Sequence, residues 1–217
     1  QKVINSIPVG RYPFGIALSP DGSRAYVANV GMYEYAKLQK KTGGMVKLHF
    51  PPYGVPSKEA KKGVELKPDD DGDEEVRVPG LGDPNDIRAM SVWTIDISVR
   101  GREGVIGKTK TGRLVGEKLE DFPAVGGSSP NSLVATEKHV YVSNGSNDSI
   151  TVINARTGRR QKDIELQFHP AARGLRGMIP FGLALSPDLQ TLYVAEAGIN
   201  AAGVVRVKDG KVLGHIP

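Results

Sequence analysis

Short apolar runs separated by turn residues recur along this chain, at lengths typical of β-strands. Residues 12–29 read YPFGIALSPDGSRAYVAN, residues 179–196 repeat them as IPFGLALSPDLQTLYVAE, and residues 129–144 give a looser copy, SPNSLVATEKHVYVSN. In each copy an apolar run, a turn and a second run rich in aromatic and β-branched residues predict a β-hairpin. Leu189 replaces the turn glycine, Gly22, so the turn type of the last copy is open to change.

Two further strands are predicted after each hairpin. The third strands are expected at residues 91–97, 149–154 and 203–207, and the fourth at residues 114–117, 161–166 and 212–216. Four short antiparallel strands per repeat are typical of a β-propeller blade, and the 3.6-residue period of a helical solenoid is missing. The predicted fold is therefore all-β: one partial propeller domain, residues 1–217, with three four-stranded blades at about 9–117, 118–166 and 167–217.

The blade count predicts an incomplete ring. Residues 2–8 (KVINSIP) and 211–217 (KVLGHIP) occupy the same phase of the repeat, so the chain spans three periods. Closed propellers typically have four or more blades, and three would leave two open edges. We expect the missing blades to come from the remainder of a longer chain or from another chain; two copies would give six blades.

The first blade carries a long loop insertion, residues 31–89, whose first half is basic and whose second half is acidic. One interpretation is a solvated arm whose halves attract each other. The alternative is a calcium loop, because Asp69, Asp71 and Asp73 alternate as hard oxygen ligands should. Gly72 and Glu74 depart from the EF-hand pattern, so calcium remains an alternative.

Composition argues against several classes of function. The chain has no cysteine, which excludes disulfides, thiolate metal sites and c-type haem attachment. No run of 18 apolar residues predicts a membrane span. The net charge of +5 is scattered, and the strands lack an aromatic stacking platform, so nucleic-acid binding is not expected. The four histidines have no short metal-ligand spacing, and no cofactor is expected beyond the calcium alternative.

One face of the propeller is the predicted binding face. The loop before each first strand and the loop between strands two and three should open on the same side, and the enlarged loops are all of these kinds. The candidate residues are Arg11, Asn29, Asn144, Arg173, Arg176, Glu196 and Asn200. Three converging arginines could hold an anion such as phosphate; alternatively, they hydrogen-bond carbonyls between blades.

The repeats resemble the YVTN family of bacterial β-propeller repeats, through YVAN at 26–29, YVSN at 141–144 and YVAE at 193–196. A closer resemblance is to the propeller half of bifunctional YVTN propeller/alkaline phosphatase family proteins. It is carried by IPFGLALS at 179–186, LYVAEAGIN at 192–200, GGSSPNS at 126–132, YVSNGSNDS at 141–149 and GLGDPN at 80–85. This resemblance implies an extracellular or periplasmic protein whose metal-dependent phosphoesterase domain follows residue 217. Glu196, in place of the usual Asn, departs from the repeat.

The sequence contains no complete catalytic constellation. The first hypothesis is therefore a non-catalytic propeller segment that binds and positions, natively attached to a phosphoesterase of the alkaline phosphatase superfamily that lies outside this chain. On this hypothesis only a longer parent chain would be an enzyme. The alternative is a stand-alone protein-interaction module completed by self-association or by a partner chain.

Overall fold

The computed structural model describes residues 2–35, 57–66, 76–119, 122–172 and 174–217. Three four-stranded antiparallel sheets dominate it, each with its strands in sequence order, as a propeller blade requires. The fold is all-β, a partial propeller of three blades. The first strands of the blades contact one another and form the inner edge of the array.

Blade 1 consists of β1 (Pro13–Leu18), β2 (Arg24–Asn29), β5 (Ser91–Asp96) and β6 (Val105–Lys110). Blade 2 consists of β9 (Pro130–Ala135), β10 (His139–Asn144), β11 (Ser149–Asn154) and β12 (Arg160–Glu165). Blade 3 consists of β13 (Pro180–Leu185), β14 (Thr191–Glu196), β15 (Ala201–Arg206) and β16 (Lys211–Ile216). Short 3₁₀ turns lie at Gly101–Gly104 and Pro170–Ala172.

The fourth strand of blade 1 was predicted wrongly. It is β6, residues 105–110, and not residues 114–117. The connection after β5 bends at Ser98, whose N–H and hydroxyl both bond the Asp96 carboxylate, and continues through a 3₁₀ turn. Residues 114–117 instead start a small hairpin, β7 (Lys118–Leu119) with β8 (Phe122–Pro123), between blades 1 and 2. The sequence VIGKTK of β6 carries too few apolar residues to compete with the run around Leu114.

The last hairpin keeps the turn of the first despite its leucine. Leu189 has φ +59° and Gly22 has φ +69°. Each donates its N–H to a serine carbonyl three residues earlier, Ser186 and Ser19, at 2.9 Å. The last turn therefore matches the first, because Leu189 adopts the left-handed conformation that glycine normally supplies.

The hydrophobic core lies between blades. One cluster joins blade 1 to blade 2 through Tyr26, Ala28, Val92, Leu133, Val140, Val142 and Ile153. The next joins blade 2 to blade 3 through Tyr141, Ile150, Val152, Ile164, Leu166, Leu192, Val194 and Val205. Within a strand, alternate side chains face the preceding and the following blade, so each blade needs two neighbours to bury both of its faces.

The described part of the insertion is folded onto blade 1. A short helix α1 (Lys58–Lys62), capped by the Ser57 hydroxyl, precedes the two-stranded sheet of β3 (Gly63–Leu66) and β4 (Val76–Pro79). Tyr33, Val78 and Leu81 form a small core of their own beneath it. The predicted calcium ligands Asp69, Asp71 and Asp73 lie outside the described residues.

The described residues contain neither a candidate membrane-spanning helix nor a candidate metal-binding cluster. No helix there has the length and apolar character needed to cross a bilayer. Within the same residues, no group of three or more histidine and acidic side chains is arranged to hold a metal ion.

Candidate ligand-binding face

The two kinds of loop predicted to share a face are joined to each other in every blade. We call the loop before a first strand the leading loop and the loop between strands two and three the middle loop. The middle-loop N–H of Val30, Gly145 and Ala197 bonds the leading-loop carbonyl of Tyr12, Ser129 and Ile179 at 3.1, 3.1 and 3.2 Å. This repeated bond places both loops side by side on one end of each blade.

Backbone strain recurs at the same points of this face. Tyr12, Ser129 and Ile179, each directly before a first-strand proline, have φ of 49°, 50° and 49°. The residues directly before the third strands, Met90, Asp148 and Asn200, have φ of 45°, 48° and 53°. Left-handed non-glycine residues often mark functional sites. Here they recur in all three blades, so they belong to the architecture of the blade.

Arg11 is buried in the base of the insertion. Its guanidinium donates to the carbonyl oxygens of Met32 and Asp83, both at 2.8 Å, and to a Glu34 carboxylate oxygen at 2.8 Å. Arg88 also pairs with Glu34, at 3.1 Å. Arg11 therefore fastens the leading loop of blade 1 to the insertion, and its charge is matched by Glu34.

The other two arginines are placed differently. Arg176 lies in the leading loop of blade 3 and is half-exposed. Its guanidinium lies 3.9 Å from a carboxylate oxygen of Glu165, the last residue of β12 in blade 2. Arg113 reaches the same carboxylate at 3.0 Å. Arg173 lies outside the described residues. Arg11 and Arg176 thus serve separate acidic partners in separate blades, which matches a structural role better than a shared anion site.

The residues that end the second strands are buried. The Asn29 amide donates to the carbonyls of Val27 and Ser91, at 3.3 and 3.2 Å. The Asn144 amide donates to the hydroxyls of Ser149 and Thr151, at 3.1 and 2.8 Å. In both, the side-chain oxygen has no hydrogen-bond partner among the described residues. These amides therefore join strands two and three within a blade.

Glu196, at the same position in blade 3, is bound to a histidine. Its Oε2 lies 2.6 Å from Nδ1 of His215, whose Nε2 in turn lies 3.1 Å from the Gln167 carbonyl oxygen. In the part of the chain that the structure describes, Glu196 Oε1 has no hydrogen-bond partner, and burial raises the pKa of this carboxyl. Replacing the usual asparagine by glutamate thus links strand β14 to the outer strand β16 and, through His215, to the end of blade 2.

Asn200 is the exposed member of a series that the sequence analysis did not recognise. Its equivalents in blades 1 and 2 contact the leading loop of the following blade. The Met90 sulfur accepts the Ser129 N–H at 3.4 Å, and the Asp148 carboxylate accepts the N–H of Gly177 and Ile179 at 2.7 and 3.0 Å. Asn200 occupies this place in blade 3, where the described residues include no following blade. The signal lay in the repeat phase: Met90, Asp148 and Asn200 each stand directly before a third strand.

Exposed aromatic side chains form two separate contacts at or next to the leading loops. Tyr12 and Tyr35 have ring centroids 6.5 Å apart, and Tyr35 also meets the buried Tyr33 at 6.2 Å. Phe14 and Phe181, at equivalent places in blades 1 and 3, meet edge to face at 5.9 Å. Exposed aromatic rings of this kind provide contact area for apolar or planar groups.

A shallow cleft lies between blades 2 and 3 on the same face. Its volume is about 420 Å³, and its lining includes Leu119, Ser146, Asp148, Arg176 and Ile179. Because Asp148 is committed to the leading loop of blade 3, Arg176 is the charged side chain that this cleft presents, beside the apolar side chains of Leu119 and Ile179. Of the predicted site residues that are described, only Arg176 and Asn200 are therefore accessible on this face.

Comparison with known proteins finds likeness in fold. No protein-family model and no curated protein sequence matches the chain. Among solved structures, the chain is similar to hydrazine synthase from Kuenenia stuttgartiensis, at 18% identity over 99% of this chain and 39% of that one, with a TM-score of 0.51. It is also similar to a Bacteroides caccae protein of unknown function, at 10% identity over 97% of this chain and 48% of that one, with a TM-score of 0.47.

A third similar structure is virginiamycin B lyase from Staphylococcus aureus, at 19% identity over 94% of this chain and 54% of that one, with a TM-score of 0.41. The chain thus spans roughly two fifths to one half of the length of these three proteins. At identities this low, the similarity to hydrazine synthase concerns the fold alone, and the chain is a partial β-propeller.

Proposed function

We propose that this chain is a non-catalytic segment of a larger β-propeller, which binds and positions ligands or partners for a phosphoesterase domain of the alkaline phosphatase superfamily lying outside these 217 residues. An extracellular or periplasmic location and membership of the YVTN repeat family are part of the same proposal. They are supported by the resemblance of the repeats.

One observation carries the proposal: apolar positions that are covered between blades are exposed on the outer face of blade 3 and along the first strand of blade 1. Tyr26 and Tyr141 face the following blade and are each 2% exposed, whereas their equivalent in blade 3, Tyr193, is 40% exposed. At the other end Ile16 is 68% exposed, whereas its equivalent Leu183 packs into the core between blades 2 and 3. Positions that are apolar in every repeat are buried wherever a neighbouring blade exists, so further blades are the natural cover for these two faces.

The substitution Tyr193→Lys tests this cover. In residues 1–217 alone we expect a change in unfolding free energy within about 0.5 kcal/mol, since the ring is already half-exposed. In the natural protein, a covering blade would force the ammonium into an apolar interface and destabilise the fold by about 3 kcal/mol or more. Chemical denaturation measures both values.

Tyr141→Lys is the matched control, because Tyr141 is covered by blade 3 within this chain and its replacement should destabilise both proteins. A Tyr193→Lys effect that is equally small in both proteins would overturn the proposal that further blades complete the array.

Attachment to a phosphoesterase is tested by mass and activity together. The natural polypeptide should be well above the 23.2 kDa of this chain under denaturing conditions and should hydrolyse p-nitrophenyl phosphate, whereas residues 1–217 should not. Turnover that depends on a residue within 1–217 would contradict the non-catalytic role.

The alternative function is a stand-alone interaction module completed by a second copy or a partner chain. It is favoured by the equivalence of the two open faces: Ile16 and Leu18 on blade 1 occupy the positions of Leu183 and Leu185, which already pack against blade 2. Light scattering of residues 1–217 distinguishes the two. A stable dimer of twice the chain mass favours this alternative, and a monomer favours continuation of the polypeptide.

A further inference from the structure

The N-terminal segment, residues 2–8, forms no strand in this structure although it repeats the sequence of one. Val3 and Ile4 are 83% and 82% exposed, and no ladder includes them. Yet Lys2, Val3, Ile7 and Pro8 coincide with Lys211, Val212, Ile216 and Pro217, the residues of β16 and the proline that follows it. The strand β16 is the outer strand of blade 3.

The far end of the segment already lies where an outer strand of a preceding blade would end. By the repeat register, Ile7 and Val9 are equivalent to Ile164 and Leu166 at the end of blade 2. Ile164 and Leu166 pack in the core cluster that contains Leu192, Val194 and Val205 of blade 3. Ile7 and Val9 pack in the same way against Ala25, Val27 and Ile95 of blade 1.

A polar contact repeats the same relation. Lys162, in the outer strand of blade 2, donates to the Asp209 carbonyl in the turn between the last two strands of blade 3, at 3.0 Å. Asn5, its equivalent by register, accepts the N–H of Gly101 in the corresponding connection of blade 1, at 3.4 Å. The segment therefore follows the path of an outer strand along the open face of blade 1.

We propose that residues 2–8 are the outer strand of a further blade, whose three inner strands come from a part of the natural polypeptide outside residues 1–217. The segment pairs with the third strand of that blade by main-chain hydrogen bonds, in the manner of β-strand addition, and so closes the propeller across the face of blade 1. This inference rests on the proposed function, in which further blades complete the ring.

A second copy of residues 1–217 does not fit this role. Its blade 3 already has β16 paired along β15, so the edge that residues 2–8 need is occupied. The partner must be a three-stranded antiparallel sheet that lacks an outer strand of its own. This requirement separates ring closure within one polypeptide from head-to-tail association of two copies.

Hydrogen exchange in the natural protein tests the pairing, with residues 1–217 as the reference. We expect the amides of residues 2–8 to exchange rapidly in the reference and to be protected by on the order of a hundredfold in the natural protein. Protection in the natural protein that is no greater than in residues 1–217 would overturn the inference.

Two neighbouring substitutions supply a matched control. Val3 and Ile4 are equally exposed here, but their equivalents in β16 differ: Val212 is half-buried and pairs with Val205, whereas Leu213 is 52% exposed at a register shift. In the natural protein Val3→Asp should therefore lower the protection of residues 2–8 by about tenfold or more, because the variant loses the apolar burial of the valine side chain. Ile4→Asp should change the protection little. Equal effects of the two variants would count against the pairing.

The Tyr193→Lys experiment keeps the two proposals apart. Destabilisation of the natural protein by Tyr193→Lys, with residues 2–8 unprotected, would leave the completed propeller standing and refute only the closing strand. A silent Tyr193→Lys together with unprotected residues 2–8 would refute both. Protection of residues 2–8 together with destabilisation by Tyr193→Lys upholds both proposals. Protection with a silent Tyr193→Lys upholds the closing strand at blade 1 and refutes a further blade against blade 3.

Discussion

At the scale of single residues, the polar side chains of the predicted binding face mostly hold the propeller together. Arg11 binds the insertion, Asn29 and Asn144 join neighbouring strands, and Glu196 binds His215. The sequence placed these side chains at the right end of each blade. It could not show that they point into the structure, because a loop arginine and a strand-end asparagine have the same sequence signature whether they bind a ligand or a carbonyl.

Asp148 illustrates a residue whose role depends on a neighbouring blade. Replacing it by alanine leaves the part-buried N–H groups of Gly177 and Ile179 without their acceptor, so we expect Asp148→Ala to destabilise the chain by about 1–2 kcal/mol in urea denaturation. Asp148→Asn, which keeps one acceptor oxygen, should cost less. The control is Asn200→Ala at the equivalent exposed position, expected to stay within about 0.5 kcal/mol. Similar losses for Asp148→Ala and Asn200→Ala would contradict the assignment.

Glu196 predicts a pH dependence of defined sign. Burial raises its pKa above the ordinary 4.5, so the folded chain retains this proton to higher pH than the unfolded chain does. The stability that it contributes is fully present below pH 4.5 and is lost as the pH rises through the raised pKa. Glu196→Gln should remove this decline while leaving the fold intact, as followed by unfolding free energy against pH.

Asp209 provides a comparison of opposite sign for that measurement. Its hydrogen bonds with Arg206 lower its pKa to about 2, so its contribution is present above the ordinary value of 3.8 and is lost as the pH falls toward 2. Asp209→Asn should therefore alter the acid limb alone. A Glu196→Gln profile that parallels the wild type above pH 4.5 would show that the buried carboxyl is not the titrating group.

At the scale of elements, local sequence determines the hairpins, whereas pairing with a neighbouring strand of the blade determines where strand β6 lies. The β1–β2 and β13–β14 hairpins are formed where the apolar runs and turn residues predict them. The position of strand β6 was predicted wrongly because its own sequence is mostly polar. Its position is fixed by the ladder that β5 offers it. Strand β6 contributes no side chain to the core clusters on either side of blade 1, so its position does not depend on apolar character.

The two turns allow a direct exchange experiment. Leu189 has the left-handed conformation that disfavours a side chain, so Leu189→Gly should stabilise the chain by about 0.5–1 kcal/mol. The reverse change, Gly22→Leu at the equivalent site, should destabilise it by a similar amount. Guanidinium denaturation of the two single variants and of the double variant measures these effects. A loss of stability in Leu189→Gly would show that the leucine makes a contact worth more than its backbone strain.

At the scale of the whole molecule, burial is unequal among the three blades. Blade 2 has neighbours on both faces, whereas blades 1 and 3 each have one open face. Three sheets of one design therefore include one blade with a neighbouring blade on both faces and two with a neighbouring blade on one face.

This inequality predicts a gradient of hydrogen exchange in residues 1–217. The amides of β10 and β11 in blade 2 should exchange slowest, because their opening requires the loss of two interfaces, and those of the outer strand β16 should exchange much faster. Exchange measured by mass spectrometry of peptides from each strand tests this order. Equal protection of blades 1, 2 and 3 would indicate that the open faces are covered in solution.

The sequence by itself determined the repeat, the strand class, the incomplete count of blades and the face on which the loops gather. These follow from local rules: the alternation of apolar residues, the turn chemistry of Asp, Gly and Pro, and the spacing between copies. Only the tertiary structure decided which polar side chains form hydrogen bonds within the fold, that Asp148 joins two blades, and where β6 lies. It also decided that residues 7 and 9 pack on the open face of blade 1. Those outcomes depend on contacts between segments far apart in the chain, and a contact between blades leaves no trace in the pattern of either one.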